Sequence, residues 1–152
     1  MSSPQALSLL ALRASLGLLM VVWGADKLAN PAHGMRVAES FYFGLFGAAA
    51  LMPVLGALQI ALGVAVVAGL LRKWTYPALL AVTGLTLVGV WRSVLDPWGW
   101  VLDGTNALFF PSVIVFAGAL VVYAFRGADV LAIDERLAHA TGARAAIGPT
   151  AA

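Results

Sequence analysis

Polar side chains are scarce in this chain, and one group of them lies between Trp91 and Asn106, WRSVLDPWGWVLDGTN. The stretch holds Arg92, Asp96, Asp103, Thr105 and Asn106 among three tryptophans, Trp91, Trp98 and Trp100. A guanidinium in poorly solvated surroundings can polarise a carbonyl oxygen or hold a small anion. A carboxylate within reach can relay protons, and indole faces can stack on a planar ring. A second group, Asp26 and Lys27, closes the first apolar run, with His33, Arg36 and Glu39 just beyond it. Arg92, Asp26 and Asp103 are therefore the candidates for catalytic work. Arg92, Trp91, Trp98, Asp96, Asn106 and Lys27 are the candidates for binding a ligand.

The elements that must position these groups are almost wholly apolar. Of 152 residues, 62% are hydrophobic and 11% charged, and the mean hydropathy is +0.95. Soluble domains carry roughly a quarter charged residues. Residues 48–71, 74–91 and 104–125 contain no Asp, Glu, Lys, Arg or His, and about 20 apolar residues suffice for a helix to cross a bilayer. Backbone exposed to lipid must satisfy its own hydrogen bonds, which makes these segments helices. Four spans are expected, at about 7–28, 49–71, 76–95 and 107–125. Asn30-Pro31 stops the first, and Pro77 falls in the first turn of the third, where its missing N–H costs nothing.

The expected fold class is all-α: an integral-membrane, antiparallel four-helix bundle over residues 1–126. Residues 34–46 read as a short interfacial amphipathic helix in the first outer loop. Residues 127–152 form a cytoplasmic tail, with a brief surface helix in ADVLAIDERLAHA and its last dozen residues disordered. Ala61, Ala65 and Gly69 recur every four residues and would let another helix pack closely. Arg72-Lys73 is the paired basic loop, which places that turn and both termini in the cytoplasm.

With this topology the polar groups collect at the outward helix ends. Cα–Cβ bonds tilt toward a helix's N-terminus, so Arg13 leans toward cytoplasmic water and can snorkel there. Arg92 leans back into the membrane, where a charge costs about 2.5–3.5 kcal/mol unless paired. Arg92 is thus expected to face the bundle interior and pair with Asp26, or else with Asp96. The plainer reading of such a pair is a structural lock between helices. The tryptophans also fit an interfacial belt, Gln59 fits an interhelical hydrogen bond, and Pro111 would free a carbonyl near Ala107.

Several chemistries are excluded or disfavoured. Without cysteine there are no disulfides, thiol relays, Fe–S clusters or thiolate metal sites. His33 and His139 fall on opposite sides of the membrane, so no metal site is expected, and no histidine pair lies within the spans to ligate a haem. The charges are scattered, which argues against nucleic acid as a partner. A redox role would need an organic carrier such as a quinone, or a cofactor in a partner.

The segment LALRASLGLLMVVWGADKLANPAHG, with Arg13 and the run from Gly24 to Pro31, resembles the opening of DoxX-family membrane proteins. GALQIALGVAVVAGLLRKWTYPALL is similar to that family's Gly-rich second helix and basic turn. WRSVLDPWGWVLDGTNALFFPS followed by VYAFR looks like one DoxX-like subgroup. The resemblance covers about residues 6–126 and implies a four-helix membrane bundle. Related DoxD-type proteins are membrane subunits of thiosulfate:quinone oxidoreductase, and a DoxX protein is associated with a superoxide dismutase and a sulfurtransferase in an oxidoreductase complex. The resemblance supplies no catalytic residue set.

Together these readings predict a DoxX-like protein of the bacterial inner membrane, a membrane subunit of a quinone-linked oxidoreductase system with a small polar pocket at the outer helix ends. Its partners would be membrane lipid, a quinone, a soluble or membrane redox protein, and a second copy in a homo-oligomer. The alternative is a non-catalytic membrane anchor or assembly scaffold for a soluble oxidoreductase, with the tail and first loop carrying the contacts. A small carrier fits least, since neither deep charges nor an inverted repeat is present.

Overall fold

A computed structural model describes residues 3–41 and 47–146, and this part of the chain is all-helical. The helices are α1 (Ser3–Ala29), α2 (Pro31–Phe41), α3 (Met52–Ala68), α4 (Arg72–Gly89), α5 (Trp91–Leu95), α6 (Ser112–Ala124) and α7 (Ile133–Ala146). Single 3₁₀ turns at Ala49–Leu51, Ala107–Phe109 and Arg126–Ala128 link some of them. Three helical segments are long and apolar enough to cross a membrane: Ser3–Ala29, Ala49–Ala68 and Ala107–Ala124. They match the first, second and fourth expected spans and are consistent with a membrane protein. The third expected span is divided between α4 and α5. Its long part, α4, opens with Arg72-Lys73 and stops at Gly89, so it is not among the three.

Helix α1 packs against α3 and α6, and α4 packs against the same two helices. Leu9, Leu16 and Met20 of α1 meet Val66, Tyr76, Leu79, Ala119 and Val122 from the other three in one buried cluster. Outward-facing positions are apolar too, including Leu18, Val22, Val64, Val88 and Ile114. An apolar exterior of this extent suits hydrocarbon surroundings better than water.

Glycines bring α1 and α3 together. A Cβ added to Gly17 would lie 2.7 Å from the Gly63 carbonyl oxygen, and one added to Gly56 would lie 2.8 Å from that of Gly24. The two antiparallel helices thus touch backbone to backbone at pairs of glycines seven residues apart, the spacing that keeps a seam on one face. The expected Ala61, Ala65, Gly69 stripe is not this seam. Ala61 is exposed, and Gly69 ends α3 in the left-handed region with φ 68°. Gly56 and Gly63, on another face of α3, carry the contact instead.

The packed helices have two distinct ends. The tail end holds the start of α1, residues 69–75 and residues 126–146; the loop end holds α2, Met52 and residues 90–111. Helix α4 begins before the expected Tyr76-Pro77 start because Asp134, near the start of α7, accepts from the Leu71 and Arg72 N–H groups at 2.9 and 2.8 Å. A cap from a distant segment is invisible to local reading. It also holds Leu71 at φ 51°, a conformation costly for a branched side chain. The expected surface helix is α7, which runs to Ala146 and so enters the segment expected to be disordered; residues 147–152 lie outside the described residues. The first-loop helix begins earlier than expected, at Pro31, and the last part of that expectation, 42–46, also lies outside them.

Candidate functional site

Near its loop end, α1 presents Trp23, Asp26 and Lys27 on neighbouring positions of one face, the i, i+3, i+4 pattern. Because the Lys27 side chain runs back toward the helix N-terminus, its ammonium is drawn inward. There Lys27 Nζ donates to Gln59 Oε1 of α3 at 2.8 Å and to the Trp23 carbonyl at 3.3 Å. An ammonium has three donors, so one has no protein partner among the described residues. Gln59 is fixed in turn by donating through Nε2 to Met20 Sδ at 3.7 Å. The expected interhelical hydrogen bond of Gln59 is therefore present, with Lys27 as its partner.

These groups line a cavity of about 600 Å³ between α1, α2, α3, α4 and the start of α6. Leu55, Leu62, Val82 and Val90 are part of its apolar wall, with Thr86 and Ser112 also among the lining residues. Phe41 of α2 and Phe109 meet edge to face, ring centroids 5.0 Å apart at 69°, and both line the cavity at the loop end. At the rim, His33 Nδ1 lies 2.6 Å from Asp26 Oδ2. With Nδ1 engaged by the carboxylate, Nε2 is the ring nitrogen left to exchange a proton. A largely apolar concavity with a few convergent polar groups is the usual form of a small-molecule site.

Of the residues singled out from the sequence, Asp26 and Lys27 line this cavity; Arg92, Trp91, Trp98, Asp96, Asp103 and Asn106 do not. Arg92 does not face the interior, and among the described residues it pairs with no acid. It is exposed, its guanidinium 5.6 Å from the centre of the Trp91 ring. The reason is local: α4 stops at Gly89, Val90 leaves the helical region at φ −99° and ψ 19°, and the short α5 buries Ser93 instead. Asp26 is taken by His33, and Asp96 is taken by its own loop. Asp96 accepts from the N–H groups of Trp100, Val101 and Leu102 at 3.0, 2.6 and 2.8 Å. Those bonds, Leu102's foremost, hold its carboxyl below the usual aspartate range.

The remaining expected residues shape the loop. Trp98 and Trp100 stack on each other with centroids 5.1 Å apart, and both are exposed. Asn106 accepts from Leu108 N at 2.9 Å and caps the 3₁₀ turn, while its own N–H donates to Ser93 Oγ at 3.0 Å. Asp103 is exposed. Trp91 and Asp96 border a second, shallower cleft of about 450 Å³ beside Leu95, Trp100, Val101 and Leu102. The carbonyl near Ala107 is not freed by Pro111, because α6 begins only at Ser112 and Ala107 O accepts from Phe110 N at 3.1 Å.

The tail end holds a buried ion pair that sequence reasoning did not anticipate. Arg13 Nη1 donates to Asp129 Oδ2 at 2.7 Å, with side chains 2% and 1% exposed. Tyr76 OH donates to the same oxygen at 2.7 Å, while Arg13 Nε and Asp129 Oδ1 are buried without a protein partner. Arg13 therefore does not snorkel: the segment after α6 folds back and brings an acid to it. Arg72 secures that segment by donating to the carbonyls of Arg126 and Asp129 at 2.7 and 3.1 Å and to Glu135 at 2.7 Å. The available signal was Asp129 itself, followed directly by the apolar run Val130 to Ile133.

Comparisons of the chain with protein-family models, with curated proteins and with solved structures found no match.

Proposed function

We propose that this chain is a DoxX-like membrane subunit of a quinone-linked oxidoreductase system, and that the loop-end cavity holds the quinone ring. The observation that carries the reading is the half-buried Lys27 ammonium, which has a spare donor in an apolar cavity of about 600 Å³. Residues and ligand class fit: flat apolar rings bearing carbonyl oxygens need greasy walls and one or two donors. Lys27 would donate to a carbonyl oxygen, Gln59 would hold Lys27 in place, and the His33–Asp26 pair would pass protons between cavity and water. A bound quinone would supply the two-electron, two-proton carrier chemistry that these side chains lack. The role assigned to Arg92 from the sequence passes to Lys27.

This reading includes α4 with α5 as a fourth, shorter span, which places the tail end in the cytoplasm of a bacterium and the cavity near the outer face of its inner membrane. The antiparallel packing of α4 between α3 and α6 supports it. The scaffold alternative relied on the tail as a contact surface. Asp129, Asp134 and Glu135 instead bind Arg13, the α4 backbone and Arg72 of the same chain, which favours the pocket. The test is titration of the full chain in nanodiscs with decyl-ubiquinone, followed by tryptophan quenching. Lys27→Met is expected to weaken binding about tenfold, the loss of roughly 1.4 kcal/mol, without lowering the melting temperature. Absence of quenching in the unsubstituted protein would sink the reading.

A further inference from the structure

The cavity meets water at its rim, where His33 and Asp26 are part-exposed, and it has a second, apolar opening at its side, where a lipid-borne ligand would arrive. Phe41 and Phe109 meet over its loop end. Toward the tail end it meets the close-packed core, where Met20 and Leu79 are fully buried and Thr83 nearly so. Leu58 of α3 and Leu85 of α4 differ from the other apolar wall residues. They line the cavity, yet are 63% and 53% exposed, so each side chain has one face toward the cavity and one toward the surroundings. One turn along each helix, Val54 and Val88 are exposed as well. Together these four side chains make an apolar track that starts at the side opening and runs along α3 and α4. The polar groups, Lys27 and the His33–Asp26 pair, belong to α1 and α2.

We infer that the site takes a quinone bearing a hydrocarbon chain, admitted sideways between α3 and α4, with its head toward Lys27 and its chain against Leu58, Leu85, Val54 and Val88. The inference rests on the quinone reading and adds the route and the need for a chain. Chain contacts act on affinity through buried apolar area, so they separate ligands that share a head. The experiment compares decyl-ubiquinone with tail-less ubiquinone-0 on the full chain in nanodiscs. It uses the Leu58→Phe/Leu85→Phe double variant, with Leu120→Phe, an exposed position on α6, as the control for added bulk.

Narrowing the opening is expected to weaken decyl-ubiquinone about tenfold and to leave ubiquinone-0 and the control variant unchanged. Equal weakening of both quinones, or of neither, would overturn the sideways route while leaving the quinone reading intact. Failure of the unsubstituted protein to bind either quinone would remove both.

Discussion

Each end of the packed helices draws in a basic side chain of α1, and the two are treated in opposite ways. At the tail end Arg13 meets a carboxylate and a tyrosine hydroxyl, and glycine backbone closes over it at Gly69. At the loop end the hydrogen-bond partners of Lys27 among the described residues are neutral oxygens, from Gln59 and the Trp23 carbonyl, and it lines open volume. Asp26, its neighbour in sequence, turns to His33 instead. An enclosed ion pair holds helices together but has little capacity to bind anything else. A cation among neutral partners beside a cavity keeps that capacity. Charge alone does not mark a site; what matters is whether the fold has already supplied its partner.

The contrast can be broken most forcefully at Asp129. Removing one member of a buried pair typically costs about 3–5 kcal/mol, because the other is left charged and unsolvated. Asp129→Ala is therefore expected to lower thermal stability sharply in detergent, and Arg13→Leu/Asp129→Leu to recover much of the loss. Unchanged melting of the single variant would mean that the tail end is not locked. A smaller effect is expected from Asp134→Ala, which removes the α4 cap and costs about 1 kcal/mol; hydrogen exchange of the Leu71 and Arg72 amides should accelerate. The smallest belongs to Arg92→Ala. An exposed side chain without an ion pair is worth within about 0.5 kcal/mol, so stability and quinone binding should both survive. Loss of binding in that variant would return the site to the 91–106 loop.

The helices were legible in the sequence because uncharged runs of this length have few alternatives. The site was legible in part. Asp26 and Lys27 were visible as charges ending an apolar run, and Gln59 as a polar residue within one. Arg92 misled because side-chain direction was inferred along an unbroken third helix, whereas the turn at Val90 separates α5 from α4. The Arg13–Asp129 pair was illegible for a different reason. Its partners stand 116 residues apart, and no local rule reports that the segment after α6 folds back. The Gly17, Gly24 and Gly56, Gly63 spacings were readable, but attention to every fourth residue on one helix concealed a period of seven shared by two.

That separation between Arg13 and Asp129 has a consequence for how the molecule is made. Translation delivers the arginine in the first helix and its acid 116 residues later. Throughout the interval α1 and α3 can form their glycine seam, but the guanidinium beside it has no counter-charge. The segment after α6 thus completes the first helix, and a chain cut short before Asp129 carries its defect in α1. The segment from Asp129 to Glu135 is in this sense a clasp, which can close only after α6 has been made.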